Sequence, residues 1–301
     1  MQRLDKRLLA LVPRMKRSAA VLPPEIPMKR FQSFADGLDH PEGLAFDADG
    51  ILWAGGELGQ IYRIDSRGRV KEIARLGGFC LGLTFSKKQE LHVCNFKRGA
   101  LIHLNRKGRV LGCIERVGNR KLMKPNFSVF DSKGNLYFSD SGEWDSSNGC
   151  VYRLRANGRA EYFAGPFAFA NGMALSADEK TLYVVQTQRD NVMRIPILAD
   201  GRAGKAQVHA SGLVSIPDGA ALDAEGNLYV TTYATHSVYR VAPNGSVSLF
   251  AKDPSATMLA APTNAAFGGN NFDEMYFANL NRWHICRVKP GVRGQLLANL
   301  R

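Results

Sequence analysis

Short runs in which apolar and polar residues alternate, each about the length of one β-strand, follow one another along the chain in groups of four. Each group opens on a similar phrase: PEGLAF from Pro41, CLGLTF from Cys80, PNFSVF from Pro125, ANGMAL from Ala170, PDGAAL from Pro217 and PTNAAF from Pro262. A second strand follows, reading ILWAGG, ELHVCN, NLYFSD, TLYVVQ, NLYVTT and EMYFAN. The turn between the two is rich in Asp, Gly and Asn (FDADG, FDSKGN, LDAEGN), residues that suit a tight hairpin. Third strands read IYRID, LIHLN, VYRLR, VMRIP, VYRVA and ICRVK, and VKEIAR, VLGCIE, AEYFAG, AQVHAS and VSLFAK supply the fourth in the first five groups. The second residues of the opening phrases are Glu42, Leu81, Asn126, Asn171, Asp218 and Thr263, spaced by 39, 45, 45, 47 and 45 residues. A repeat of this length built from short strands predicts an all-β, six-bladed β-propeller with four antiparallel strands per blade.

The sixth group lacks a good fourth strand, because PGVRGQLLANLR carries Pro290, Gly291 and Gly294. The segment FQSFADG, Phe31 to Gly37, has the aromatic–Ala ending of AEYFAG and VSLFAK. It is therefore expected to close the last blade from the N-terminal end, in preference to the competing segment Gln295 to Leu300. Closure leaves only short outer edges exposed to edge-to-edge pairing.

Composition changes this picture little. The expected division is a basic N-terminal extension with a Pro-rich linker, residues 1–28, and one propeller over residues 29–301. Of the net charge of +13, the first thirty residues supply +6, and the rest is spread over turns such as SRGR and NRKGR. No aromatic–basic stacking platform accompanies it, so a nucleic-acid partner is not expected. Leu4, Leu8, Leu11, Val12 and Met15 fall near helical spacing among basic residues, which would suit a membrane surface or a targeting segment. A disordered tail or a helix packed on the ring is the favoured alternative. No apolar run is long enough to cross a bilayer. The five cysteines (Cys80, Cys94, Cys113, Cys150, Cys286) are odd in number and without paired metal spacing, which suits reduced thiols in a cytoplasmic protein.

In a propeller the inner strand of each blade lines the axial channel, so residues that open those strands meet at one mouth. Glu42 and Asp218 would bring two carboxylates there, with the amide oxygens of Asn126 and Asn171. Two anionic and two neutral oxygen donors suit a hard divalent cation such as Ca²⁺. The alternative is that these groups hydrogen-bond only to backbone and trapped water. The absence of His and Cys from this set speaks against a zinc-type site, although Zn²⁺, Mg²⁺ and Mn²⁺ stay open beside Ca²⁺.

The phrases HPEGLAFDADG, KPNFSVFDSKGNLYFSDSG, FANGMALSADEKTLYVVQT, IPDGAALDAEGNLYV and PTNAAFGG resemble the senescence-marker-protein, gluconolactonase and luciferin-regenerating-enzyme family. The resemblance runs from about Phe31 to the C-terminus and covers every blade. It implies a six-bladed propeller with one catalytic divalent cation in its channel, bound by Glu42, Asn126, Asn171 and Asp218. It also implies hydrolysis of a sugar lactone or related small ester, with the ion polarising the carbonyl and Asp218 as the base that directs water. Phosphotriester hydrolysis at the same ion, or a propeller that binds a ligand or partner without catalysis, are the alternatives. Where sugar lactonases of the family often show Asp, this chain has Phe127 beside Asn126, which favours a less polar substrate. Lys124 stands where Arg is common and is expected to meet a substrate hydroxyl or carboxylate.

The loop Ser141 to Gly149, SGEWDSSNG, is expected either to cap the channel with Trp144 or to be an ordinary surface loop. His40 is a weaker candidate beside Glu42, and Trp283 and His284 are expected to pack. DADG after Phe46 reads as a hairpin turn, since the later ligands and helices of a calcium-binding loop are missing. No nucleophile elbow, P-loop or dinucleotide fingerprint occurs.

Overall fold

The computed structural model of the chain describes residues 24–300. The basic helix expected near the N-terminus lies outside them. Six antiparallel sheets of four strands make the blades. Their inner strands are Leu44–Phe46, Cys80–Phe85, Pro125–Phe130, Ala170–Leu175, Pro217–Leu222 and Pro262–Gly268, each followed in order by the second, third and fourth strands of its own sheet. The exception is blade six, whose outer strand is Gln32–Asp36, paired antiparallel to His284–Val288. The N-terminal strand thus closes the ring, as its aromatic–Ala ending predicted.

Segment Gln295–Leu300, the competitor for that place, does something else. Gln295 donates its backbone N–H to Leu222 O (3.0 Å) and its side-chain amide to Leu175 O (2.8 Å). Asn299 donates to Phe46 O (3.3 Å), and Gln89 donates to Asn299 O (3.2 Å). The C-terminal segment therefore crosses the lower end of the channel and ties blades one, two, four and five together. Upstream of the ring, Glu25 and Ile26 run along blade five, donating to Leu249 O (3.0 Å) and Phe250 O (2.9 Å).

The core lies in the seams between blades. One seam packs Ala45, Trp53 and Ile61 of blade one against Leu83, Phe85, Leu91 and Val93 of blade two, with Trp53 edge-on to Phe85. Another sets Tyr229 and Phe250 of blade five against Phe267, Met275 and Phe277 of blade six. Because a blade is covered on both faces, the second strands Leu52–Gly55, Leu91–Asn95, Leu136–Asp140 and Leu228–Thr232 are buried throughout. Outer strands are more open, and no residue of Val110–Ile114 is fully buried. At the lower turns, Asp47, Asp131 and Asp223 each accept the backbone N–H four residues ahead (3.0, 2.8 and 2.8 Å), which is why the turns read as Asp-rich.

Candidate functional site

Every inner strand from blade two to blade six loses its pairing register at its second residue. The breaks fall between Cys80 and Leu83, Pro125 and Ser128, Ala170 and Met173, Pro217 and Ala220, and Pro262 and Asn264. Such bulges leave residues unpaired and re-aim their side chains. Leu81, Asn126, Asn171, Asp218 and Thr263 are the residues released in this way.

The residue that follows is often glycine, and the ring explains why. A Cβ on Gly43 would lie 1.7 Å from Leu81 O, and one on Gly82 would lie 2.6 Å from Asn126 O. On Gly172 and Gly219 it would lie 2.3 Å from Asp218 O and 2.4 Å from Thr263 O. Each inner strand thus presses its backbone onto the next blade's second residue. In blade three, where Phe127 stands in place of glycine, Ser139 Oγ bridges the blades, taking Phe127 N–H (3.0 Å) and donating to Asn171 O (2.9 Å), and Thr231 Oγ1 makes the same bridge beside Gly219, from Gly219 N–H (2.9 Å) to Thr263 O (3.0 Å). Thr263 Oγ1 donates to Glu42 O (3.3 Å) and completes the circuit. The six residues that opened the sequence repeat are therefore consecutive neighbours around one axis.

Glu42, Asn126, Asn171 and Asp218 are all buried. Both amides are oriented by a hydroxyl from the end of the same blade's second strand. Asn126 Nδ2 donates to Ser141 Oγ (3.1 Å), which donates to Ala170 O (2.8 Å). Asn171 Nδ2 donates to Thr187 Oγ1 (3.1 Å), which donates to Pro217 O (2.8 Å). This turns the amide oxygens away from the hydroxyls, and Asn171 Oδ1 is buried with no hydrogen-bond partner. Sequence reasoning missed Ser141 and Thr187. Their only signal is a hydroxyl one residue past the second strand, in SDSG and VQT.

Burial, and then the charge of Asp218, hold the Glu42 carboxyl well above the usual carboxylate range. Burial pushes Asp218 up to about 7, against a lowering hydrogen bond from the Asn171 side chain. Among the described residues no ion pair involves either carboxylate. Two buried acids and an orphaned amide oxygen form a donor set of hard oxygens without a positive partner, and these residues fit a divalent cation.

The other expected site residues divide. Trp144 is half-buried over the mouth, edge-on to Phe169 (4.7 Å between ring centroids). Lys124 Nζ donates to Glu143 Oε2 (2.9 Å) from the same loop, a partly exposed pair that leaves its other two N–H donors open. Phe127 lines a cavity of about 80 Å³ lower in the channel, with Leu44, Leu83 and Met173, above the C-terminal segment. His40 stands in a rim cluster of its own, with Nδ1 at 2.8 Å from Asp39 Oδ1 and 3.3 Å from Glu57 Oε2. The imidazole's contacts with both carboxylates account for that cluster. His284 packs as expected, its Nε2 against Met258 O (3.1 Å). Trp283 does not: it is 59% exposed, edge-on to His40, because its loop opens at the same mouth.

Fold and ring together define a six-bladed propeller with an oxygen-lined mouth to its axial channel. A family profile described as the SMP-30/Gluconolactonase/LRE-like region matches residues 57–281, well over half of the chain, and the chain belongs to that family. A strictosidine synthase-like N-terminal profile matches residues 32–64. Among curated proteins, 6-deoxy-6-sulfogluconolactonase of Pseudomonas putida is 31% identical over 138 residues, covering 45% of this chain and 46% of the relative. The chain spans about half, or less, of the length of the curated relatives it matches. Among solved structures, a gluconolactonase of Xanthomonas campestris superposes with a TM-score of 0.75 at 21% identity, over 86% of this chain and 89% of that one. Regucalcin of Agrobacterium tumefaciens, described as a calcium-binding protein, gives 0.72 at 18% identity, over 92% and 97%. These structural likenesses establish the fold.

Proposed function

We propose that the chain hydrolyses a lactone or related small ester at a divalent cation, Ca²⁺ first among the candidates, held by Glu42, Asn126, Asn171 and Asp218. One observation carries this reading: two carboxylates are buried on one axis with no cationic partner among the described residues, beside an amide oxygen with no hydrogen-bond partner. A structural role would leave that arrangement costly, since buried charges need pairing. The gluconolactonase names of the relatives support the same chemistry.

Bound there, the cation would supply Lewis-acid polarisation of the ester carbonyl and neutralise the acid pair. Glu42 anchors with its charge, and Asn126 and Asn171 give neutral oxygens locked by Ser141 and Thr187. Asp218 is the base: it orients a water at one carboxylate oxygen and takes its proton. Burial raises that carboxyl to about 7, and the charge of a bound cation would favour the ionised form a base requires. The described cysteines are free thiols, which suits the reducing cytoplasm we propose as the compartment. Among the described residues no helix is long and apolar enough to cross a membrane.

The test is acid release from a panel of lactones, before and after chelation and after Ca²⁺ is restored. Activity should vanish with the chelator and return with the ion. Turnover that persists after complete removal of divalent ions refutes the mechanism.

A further inference from the structure

The ring is not uniform around its axis. Asp218, Thr263 and Glu42, from blades five, six and one, form an acidic arc, whereas Leu81, Asn126 and Asn171, from blades two, three and four, carry no charge. The rim above each arc follows suit. Over the acidic arc stands Tyr233, whose backbone N–H donates to Ile216 O (3.0 Å), two residues before Asp218, and whose hydroxyl donates to Asn281 Oδ1 (3.3 Å). Over the uncharged arc stand three aromatic rings. Phe96 follows the second strand of blade two, Trp144 lies in the loop that begins at Ser141, and Phe169 lies two residues before Asn171. Their centroids are 6.5 Å apart for Phe96–Phe169 and 4.7 Å for Trp144–Phe169, both tilted or edge-on as aromatic clusters prefer.

The same residues that orient the amides fix this cluster. Phe169 O accepts the N–H of Thr187 (3.2 Å), the residue whose hydroxyl holds Asn171. Phe169 is also held at φ +60°, a conformation unusual for a bulky residue. Phe96 and Trp144 are half-buried and keep exposed surface, while Phe169 is buried between them as their support. Gln186, the polar side chain at the foot of the cluster, is engaged by Ala168 N–H and Asn191, and Lys124 pairs with Glu143. A polyhydroxylated ring laid on this side would lose water contacts without replacing them, whereas a hydrocarbon would gain.

We propose that Phe96, Trp144 and Phe169 form a binding site for an apolar substituent, so that the chain takes lactones bearing an alkyl or aryl group in preference to sugar lactones. This deepens the lactone reading and rests on it for the chemistry of the ring. Its test separates the two. With Ca²⁺ present, calorimetry would compare three non-hydrolysable lactams: an unsubstituted six-membered lactam, its pentyl derivative, and a gluconolactam. The pentyl lactam should bind at least about tenfold more tightly than the unsubstituted one, and the gluconolactam should show no advantage. Trp144→Ala combined with Phe96→Ala should remove the difference, while Trp144→Phe keeps most of it. Equal binding of pentyl and unsubstituted lactams, or tightest binding of gluconolactam, overturns the inference. Lactone hydrolysis is assayed in parallel: a pentyl preference without any turnover upholds the aromatic site and sinks the hydrolase reading, and turnover without the preference does the reverse.

Discussion

Replacing Thr187 by valine probes the site through a residue that touches no ligand. The hydroxyl is buried, 3% exposed, and serves two partners: it accepts from Asn171 Nδ2 and donates to Pro217 O. Valine has nearly the same shape, so no large cavity forms, but one amide N–H and one carbonyl lose their partner. At about 1–3 kcal/mol for each buried group left unsatisfied, partly relieved by relaxation, the loss of stability should be roughly 2–4 kcal/mol. The second effect is specific. Asn171 no longer has a reason to keep Oδ1 on the axis, and Ca²⁺ affinity should fall about 10–100-fold, as when an orienting partner of a metal ligand is lost. Urea denaturation in chelator gives the first quantity, and calorimetric Ca²⁺ titration gives the second. Thr187→Ser keeps the hydroxyl and should restore the affinity. A valine variant that is destabilised yet binds Ca²⁺ as tightly as the parent would show that the hydroxyl supports the blade alone, and the orientation argument would be wrong.

Three further outcomes follow from the same geometry. Asp218→Asn should lower kcat by about 10²–10⁴, the range of a lost general base, while chelated protein keeps its stability because a strained buried acid is removed; unchanged turnover would exclude Asp218 as base or essential ligand. Gly172→Ala should destabilise by roughly 1–3 kcal/mol or more, since its Cβ would sit 2.3 Å from Asp218 O; a neutral effect in denaturant would contradict the tight ring. His92, stacked on His103 and edge-on to Phe130, is buried, which, with the His103 charge, lowers it from 6.5 to about 4. The unfolded chain then binds the proton first, so its contribution is complete above about pH 6.5 and falls as pH drops toward 4, by roughly 3 kcal/mol in all. Denaturation of the parent and of His92→Gln across this window should diverge accordingly, and parallel curves would disprove it.

Much of the fold was legible because a blade repeats its burial pattern. The phrase ending in Phe46, Phe85, Phe130, Leu175, Leu222 and Phe267 sets the register, and FQSFADG could be matched to outer strands by its aromatic–Ala ending. The ring neighbours could be named for the same reason. What escaped the sequence depends on three dimensions. Ser141 and Thr187 look like ordinary hydroxyls at strand ends until the next blade's carbonyl is seen beside them. Gly43, Gly82, Gly172 and Gly219 fall inside the opening phrases of the repeat, where nothing local asks for glycine, and only the close backbone approach between blades explains them. Lys124 pairs with Glu143 across nineteen residues, which no local pattern announces. The role of Gln295 to Leu300 likewise appears only once the lower ends of four blades are brought within reach of one segment.

Anomalous diffraction from crystals soaked in Mn²⁺ or a lanthanide, as stand-ins for Ca²⁺, puts the central claim to its most direct test. The expected result is one strong peak on the channel axis, about 2.0–2.6 Å from side-chain oxygens of Glu42, Asn126, Asn171 and Asp218. A blank axis, or a peak confined to the Asp39, His40 and Glu57 cluster at the rim, would contradict it.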